Sequence, residues 1–377
     1  MNRKNQSILL LFLFFIPIGV IFIHYFYLRP SITEAYHETP DPFIKLITDT
    51  FYPRFSIEKK RFDLTFFLDK SDQVIYRFTF LYYLIFLLSY LTPKKASFQA
   101  KMHTLFYTKT NSKNVTILRV IFFSYLLYIG YHLCHDLLFM QPLKSFYKPI
   151  LWLNILNIPF PNYISVILLG SIWCSFILLT IFNVRPVVFS AASFALFLLF
   201  QCWEFSFEKI DHGYVTFTYA FMLIPFLLEE QKNNNQPFNS WSLSLIKISI
   251  AMVYFLSSLE KIFISKLSWL DPENLKAYLY FHETDLSKII VQHDFLCILI
   301  SSATLLLQLS FILIIFLPTY KWIWIVGGIL FHTGTLLVMN IGHPLNPWIV
   351  VYIFFFDWSK VYDFFLDGFK KRMTFSN

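Results

Sequence analysis

The chain is poor in charge. Asp, Glu, Lys and Arg make up 14% of its 377 residues, against 56% hydrophobic residues. Soluble domains carry about a quarter charged residues, so too few polar groups exist here to cover so large an apolar content in water. Glycine is scarce as well, nine in all, and no phosphate-binding Gly loop occurs. The four cysteines, Cys134, Cys174, Cys202 and Cys297, sit inside or at the ends of apolar segments without CxxC spacing. They read as small buried hydrophobes, not as disulfide partners or metal ligands. An HExxH helix, an internal repeat and a heptad series are also missing. So are the alternating segments of a membrane β-barrel, since runs such as 8–23 are unbroken.

What is present suits lipid. Aromatic residues reach 21%, with 47 Phe, and a helical backbone satisfies its own polar groups in hydrocarbon. About twenty apolar residues cross a bilayer. This predicts an all-α, polytopic transmembrane helical bundle of about nine or ten spans, at 8–28, 74–92, 116–138, 162–183, 186–205, 212–229, 241–262, 296–317, 321–341 and 345–358. The first span follows Arg3 and Lys4 and lacks a small-residue cleavage site, which reads as an uncleaved anchor. The net charge of +8 comes from basic residues beside the spans, which argues for topology and lipid contact and against nucleic acid. Placing Arg3 and Lys4, the basic loop 93–114 and Lys370, Lys371 and Arg372 in the cytoplasm requires an even span count, which ten satisfies. Both termini are then cytoplasmic, and 30–73, 139–161 and the amphipathic stretch 263–295 lie outside.

Ionisable side chains inside spans are costly and call for a partner or a purpose. Following the alternating helix directions, Tyr131, His132, His135, Asp136, Glu204, Glu208, Asp211, His212, Glu260, Lys261 and His343 fall toward the extracytoplasmic leaflet, with Gln308 and His332 near mid-depth. His132 and His135 share a helix face and have Asp136 nearby, but no second ligand cluster supports a metal site. His332 lies between Gly327-Gly328 and Gly334, where small residues allow close helix approach.

These residues also carry a resemblance. Tyr254-Phe-Leu-Ser-Ser-Leu-Glu-Lys261 followed by Trp269 resembles the lysine motif of the HTTM domain, the membrane domain of the vitamin K-dependent γ-carboxylase superfamily. Phe331-His332, Met339-Asn-Ile-Gly342 and the aromatic stretch 351–358 resemble its late helices. Leu118-Arg119-Val120 and Asp211-His212-Gly-Tyr214 match earlier landmarks. The likeness runs from about 116 to 360. It divides the chain into 1–115 (anchor helix, extracytoplasmic segment, second span and basic loop), the HTTM-like domain 116–360, and a basic tail 361–377.

The resemblance implies catalytic roles for Lys261, His212 and His332, and substrate contacts at Asp211, Tyr214, Gln308 and His343. Lys261 matches a lysine base that deprotonates a reduced, vitamin K-like lipid quinone. Oxygen then yields an alkoxide that removes a γ-proton from a peptide glutamate, and the carbanion captures carbon dioxide. The residue types suit this chemistry, because a lysine in a low-dielectric pocket loses proton affinity and serves as a base. The chain departs from the carboxylase pattern at Asp211, where Asn is usual, at Gln308 in place of an acid, and at His343 in place of an apolar residue. These 377 residues offer no counterpart of the large extracytoplasmic C-terminal region expected of a carboxylase.

Two function classes therefore stand. One is a quinol-dependent, lyase-type membrane enzyme acting on a secreted peptide at the extracytoplasmic face. The other is a non-enzymatic factor for maturation, export or immunity of such a peptide. A transporter would show repeat symmetry or broken half-helices, and neither is evident. The expected location is a bacterial inner or plasma membrane, with membrane lipid as the constant partner.

Overall fold

A computed structural model describes residues 14–374 apart from 38–39, 53–54, 92–102, 104, 208–211, 235–236 and 343–344. Its main elements in chain order are α1 (Phe14–Tyr36), α2 (Pro42–Phe51), α3 (Leu64–Leu91), β1 (Thr108–Thr110), α4 (Ser112–Phe139), α5 (Tyr163–Ile181), α6 (Pro186–Phe205), α7 (Val215–Lys232), β2 (Phe238–Ser240), α8 (Trp241–Ser265), α9 (Pro272–Phe281), α10 (Asp294–Ser310), α11 (Lys321–Met339) and α12 (Trp358–Thr374). Among the described residues the fold is all-α, with one antiparallel pair in which Thr108 faces Ser240.

Six helices among the described residues are long and apolar enough to cross a membrane: α1, α4, α5, α6, α8 and the Pro318–Met339 helix that contains α11. The chain is a multi-pass membrane protein. The other four expected spans take different forms. Of the stretch 74–92, residues 74–91 are the end of the longer α3, whose polar start holds Asp69, Lys70 and Asp72. α7 carries Glu229, Glu230 and Lys232 in its last turn. The stretch 296–317 is interrupted after Ser310 and resumes for Leu313–Phe316. It ends before Pro318, which disfavours helical backbone at the preceding residue. The stretch 345–358 is a single α-turn, Pro347–Val350, running into a 3-10 segment, Val351–Phe355. That segment buries Val351, Tyr352, Phe354 and Phe355 within the protein, so its apolar character serves packing.

The amphipathic stretch 263–295 becomes separate short helices because its sequence caps them. Asp271 accepts from the Glu273 N–H ahead of Pro272 at the first helical position, and Thr284 and Ser287 form a reciprocal capping box. α11 ends where Asn340 takes left-handed backbone (φ 51°) and its N–H caps Leu336 and Thr335, a conformation Asn tolerates better than most residues.

Two compact units are built from the described parts of 1–102, 135–166 and 199–210, and of 103–134, 167–198 and 211–377. In the first, Asp72 on α3 accepts from His24 at 2.6 Å and from Arg29 at 2.8 Å, both on α1. Ala35, Phe55 and Phe67 form its small apolar core. In the second, Phe122 stacks on Phe217 with centroids 4.5 Å apart, and Phe123, Phe197 and Phe221 meet these rings edge-on or tilted. Such aromatic pairs contribute about 1 kcal/mol each beyond area burial.

Candidate functional site

The second unit holds the candidate site, where α8, α10 and α11 come together. Tyr254, Ser257 and Lys261 follow one another at helical spacing on α8, so one stripe presents a phenol, a hydroxyl and an amine. Lys261 Nζ donates to Ser257 Oγ at 2.9 Å and to Gln308 Oε1 on α10 at 2.9 Å. It also lies 5.1 Å from the Trp269 ring centroid, a cation–π distance. It takes part in no ion pair among the described residues.

Lys261, Trp269 and Gln308 line a cavity of about 630 Å³. The remaining wall is mostly apolar, with Leu275, Leu307, Leu330, Val338 and Met339, and Thr304 and Thr335 among its few polar groups. This volume suits a mid-sized organic ligand. Gly334 borders the cavity, and a Cβ built there would meet nothing within 4 Å. The buried indole N–H of Trp269 finds no acceptor among the described residues, leaving a donor beside Lys261 that a ligand oxygen would satisfy.

His332 belongs to a neighbouring but separate cluster. It is 9% exposed, and its Nε2 lies 2.6 Å from Tyr254 Oη, which is in turn 2.6 Å from Tyr352 Oη. Trp348 packs 5.5 Å from the His332 ring and 5.3 Å from Tyr254. Phe331 lines the Lys261 cavity while His332 does not, because consecutive helical residues point about 100° apart. Gly328 makes this cluster possible: a Cβ there would stand 2.0 Å from Tyr352 Oη.

The other expected site residues are dispersed. His212 is exposed and touches the cluster edge-on, 6.5 Å from Trp348. Tyr214 precedes α7, accepts from Thr218 Oγ1 through its carbonyl, and meets Phe197 edge-on at 6.2 Å. Asp211 and His343 lie outside the described residues. The structure thus joins Lys261 to Gln308 and His332 to Tyr254, and brings His212 only to the margin of the second pair. Ser257 and Tyr352 were missed as site residues. Ser257 was legible as the i−4 neighbour of Lys261, whereas nothing local in 351–355 announced a hydrogen-bonded tyrosine.

The family model described as the HTTM domain matches residues 226–359. That range contains Lys261, Gln308 and His332 and leaves out the motifs at 118–120 and 211–214. No curated protein and no solved structure matches the chain.

Proposed function

We propose, from the match of residues 226–359 to the HTTM domain model in a multi-pass membrane protein, that Lys261 is the base of a carboxylase-like membrane enzyme using a lipid-soluble quinol. One observation carries this reading. The Lys261 amine borders an apolar cavity and is held by two neutral acceptors, Gln308 Oε1 and Ser257 Oγ.

The donor set fits a quinol. Lys261 Nζ and the unpartnered Trp269 N–H offer polar contacts for ring oxygens, and the leucine-rich wall offers an apolar surface for a lipid tail. A reduced lipid quinone, with oxygen, supplies the strong base needed to remove a peptide γ-proton before carbon dioxide is captured. The chain's own part is narrower. Lys261 accepts the quinol hydroxyl proton at Nζ, since no carboxylate among the described residues is paired with it to hold it as an ammonium. Gln308 and Ser257 fix the amine's position. The apolar wall keeps water from the reacting oxygen. His332 acts at one remove, holding Tyr254 and with it the α8 stripe that carries Lys261. On this reading both termini are cytoplasmic, the enzyme sits in a bacterial plasma membrane, and the substrate is a secreted peptide.

A second reading draws on the same cavity: Lys261 and Tyr278 are the only titratable side chains among its described lining residues. That poverty suits a non-enzymatic factor that holds an apolar ligand or peptide segment during maturation, export or immunity.

The test is extraction of the gently purified protein followed by mass spectrometry for bound quinone, together with oxygen-dependent consumption of an added lipid quinol. The wild type is expected to retain quinone and consume quinol, and Lys261→Met to fold but not turn over. Quinol consumption that survives Lys261→Met overturns the assignment. Retained apolar ligand without any consumption favours the binding factor.

A further inference from the structure

A second cavity, of about 580 Å³, lies toward the other end of α8 in the same unit. Lys247 lines it, roughly 21 Å along the helix from Lys261 at 1.5 Å per residue, so the two cavities are separate sites. Three lysines, Lys109, Lys247 and Lys321, together with His103, line this second space, against one carboxylate, Asp357.

The polar groups differ in how far they are already engaged. Lys321 Nζ donates to the Phe355 carbonyl at 2.7 Å and lies 5.1 Å from the Phe356 ring. Asp357 accepts from Ser359 Oγ at 2.6 Å and lies 3.6 Å from Lys360, so much of its charge is answered elsewhere. Thr108 and Ser244, both lining the cavity, share a hydrogen bond of 2.7 Å. Lys247 has no hydrogen bond and no ion pair of 4 Å or less among the described residues. It is within the field of Lys321, which repels it, and of Asp357, which attracts it. A half-buried ammonium in that position has no direct partner among the described residues, and a charge held away from bulk water without one is costly.

We propose that this cavity is a binding site for a phosphoryl anion, with Lys247 as its principal ligand, Lys109 and Lys321 as supporting charges, and the Thr108–Ser244 pair supplying the one O–H that their mutual hydrogen bond leaves free. A multiply charged oxyanion matches several cations and hydroxyls around one space, and lysine is a standard point-charge partner for phosphate. Ile248, Ile314 and Ile315 line other parts of the cavity, which suits a phosphate carried on an apolar body. A lipid headgroup and free phosphate present the same group, and the experiment separates them. The site concerns a different cavity from that of Lys261 and stands whether or not Lys261 is a base.

The test uses the full chain in two settings. In neutral detergent, the thermal midpoint is followed against inorganic phosphate, with chloride at matched ionic strength as the control. In phosphatidylcholine nanodiscs with about one lipid in five replaced by phosphatidylglycerol, retained lipid is identified by native mass spectrometry. The wild type is expected to retain phosphatidylglycerol over phosphatidylcholine, to be stabilised by phosphate, or both. Selectivity in the lipid arm alone identifies a headgroup, whereas a response in the phosphate arm shows that the free anion suffices. Lys247→Met is expected to weaken the response about tenfold to a hundredfold, the effect of losing a hydrogen bond to a charged group. If Lys247→Met does not fold, Asp357→Asn and the exposed-site variant Lys109→Gln carry the test, the first strengthening and the second weakening binding about threefold to tenfold. No selectivity in either arm overturns the proposal. So does an unchanged response in Lys247→Met or, where that variant does not fold, in both of the others.

Discussion

Lys261 on α8 donates to Gln308 on α10 at 2.9 Å, so a neutral amide stands opposite the amine of the apolar cavity. An acid at 308 would make an ion pair there. The amide instead orients the amine without adding a countercharge, and this pairing links two helices through residues 47 apart in sequence.

Replacing Gln308 with Leu removes that acceptor while keeping much of the side-chain volume. Ser257 remains as a partner, so the loss is partial, about 1–2 kcal/mol of stability. The midpoint of thermal unfolding in detergent is expected to fall modestly, and quinol consumption to fall about tenfold because the amine is no longer fixed. Unchanged consumption would show that Gln308 has no positioning role.

Gly334→Phe tests the cavity without touching its polar groups. A Cβ at 334 meets nothing within 4 Å, so the ring has space to enter the cavity and occupy ligand volume. The expected outcome is a folded protein of near wild-type thermal midpoint whose co-purified apolar ligand, measured by extraction and mass spectrometry, drops about tenfold or more.

Gly328→Ala strikes the neighbouring cluster. Its Cβ would lie 2.0 Å from Tyr352 Oη, so Tyr352 must move and its bond to Tyr254 breaks. Overpacking of this kind costs about 1–3 kcal/mol. Adding Tyr352→Phe removes the nearest colliding atom but leaves the ring carbon Cζ at 2.7 Å, so it is expected to recover only part of the loss, about 1 kcal/mol, read as non-additivity in a double-mutant cycle of thermal midpoints.

On α9, Lys276 binds Asp294 and, at 2.8 Å, Glu273. The hydrogen bond to Asp294 first, and that to Glu273 second, hold its ammonium above the ordinary lysine value of 10.5. A group whose folded-state value is raised stabilises fully below the unfolded value and loses that contribution as pH climbs through the folded one. The packing of α9 on α10 is therefore expected to be constant at neutral and mildly alkaline pH and to loosen only above 10.5. Limited proteolysis around α9 across that range checks this, and Lys276→Met should abolish the pH dependence.

Much of the architecture was legible because its signals are local. Pro186 and the apolar run after it marked α6 at its observed bounds, and the runs that became α4, α5, α8 and α11 were each placed within a few residues. The stretch 345–358 misled because apolar composition does not distinguish a lipid-facing helix from a short segment buried in protein. Lys261, Gln308 and His332 were likewise visible as polar residues where polarity is costly, but their grouping was not. Depth along the helices placed His332 and Lys261 near each other, while helical rotation turned His332 toward Tyr254 and Tyr352.

The amino-acid sequence by itself determined that this is a helical, multi-pass membrane protein with an amine in its α8 stripe, because hydropathy, caps and helical period are properties of neighbouring residues. Only the tertiary structure decided that Lys261 faces Gln308 across an apolar cavity, that His332 bonds to Tyr254 outside it, and that Lys247 lines a second, basic cavity at the far end of the same helix. Those relationships depend on how helices rotate about their axes and pack against distant parts of the chain, and one glycine methylene, Gly328 under Tyr352, is enough to set one of them.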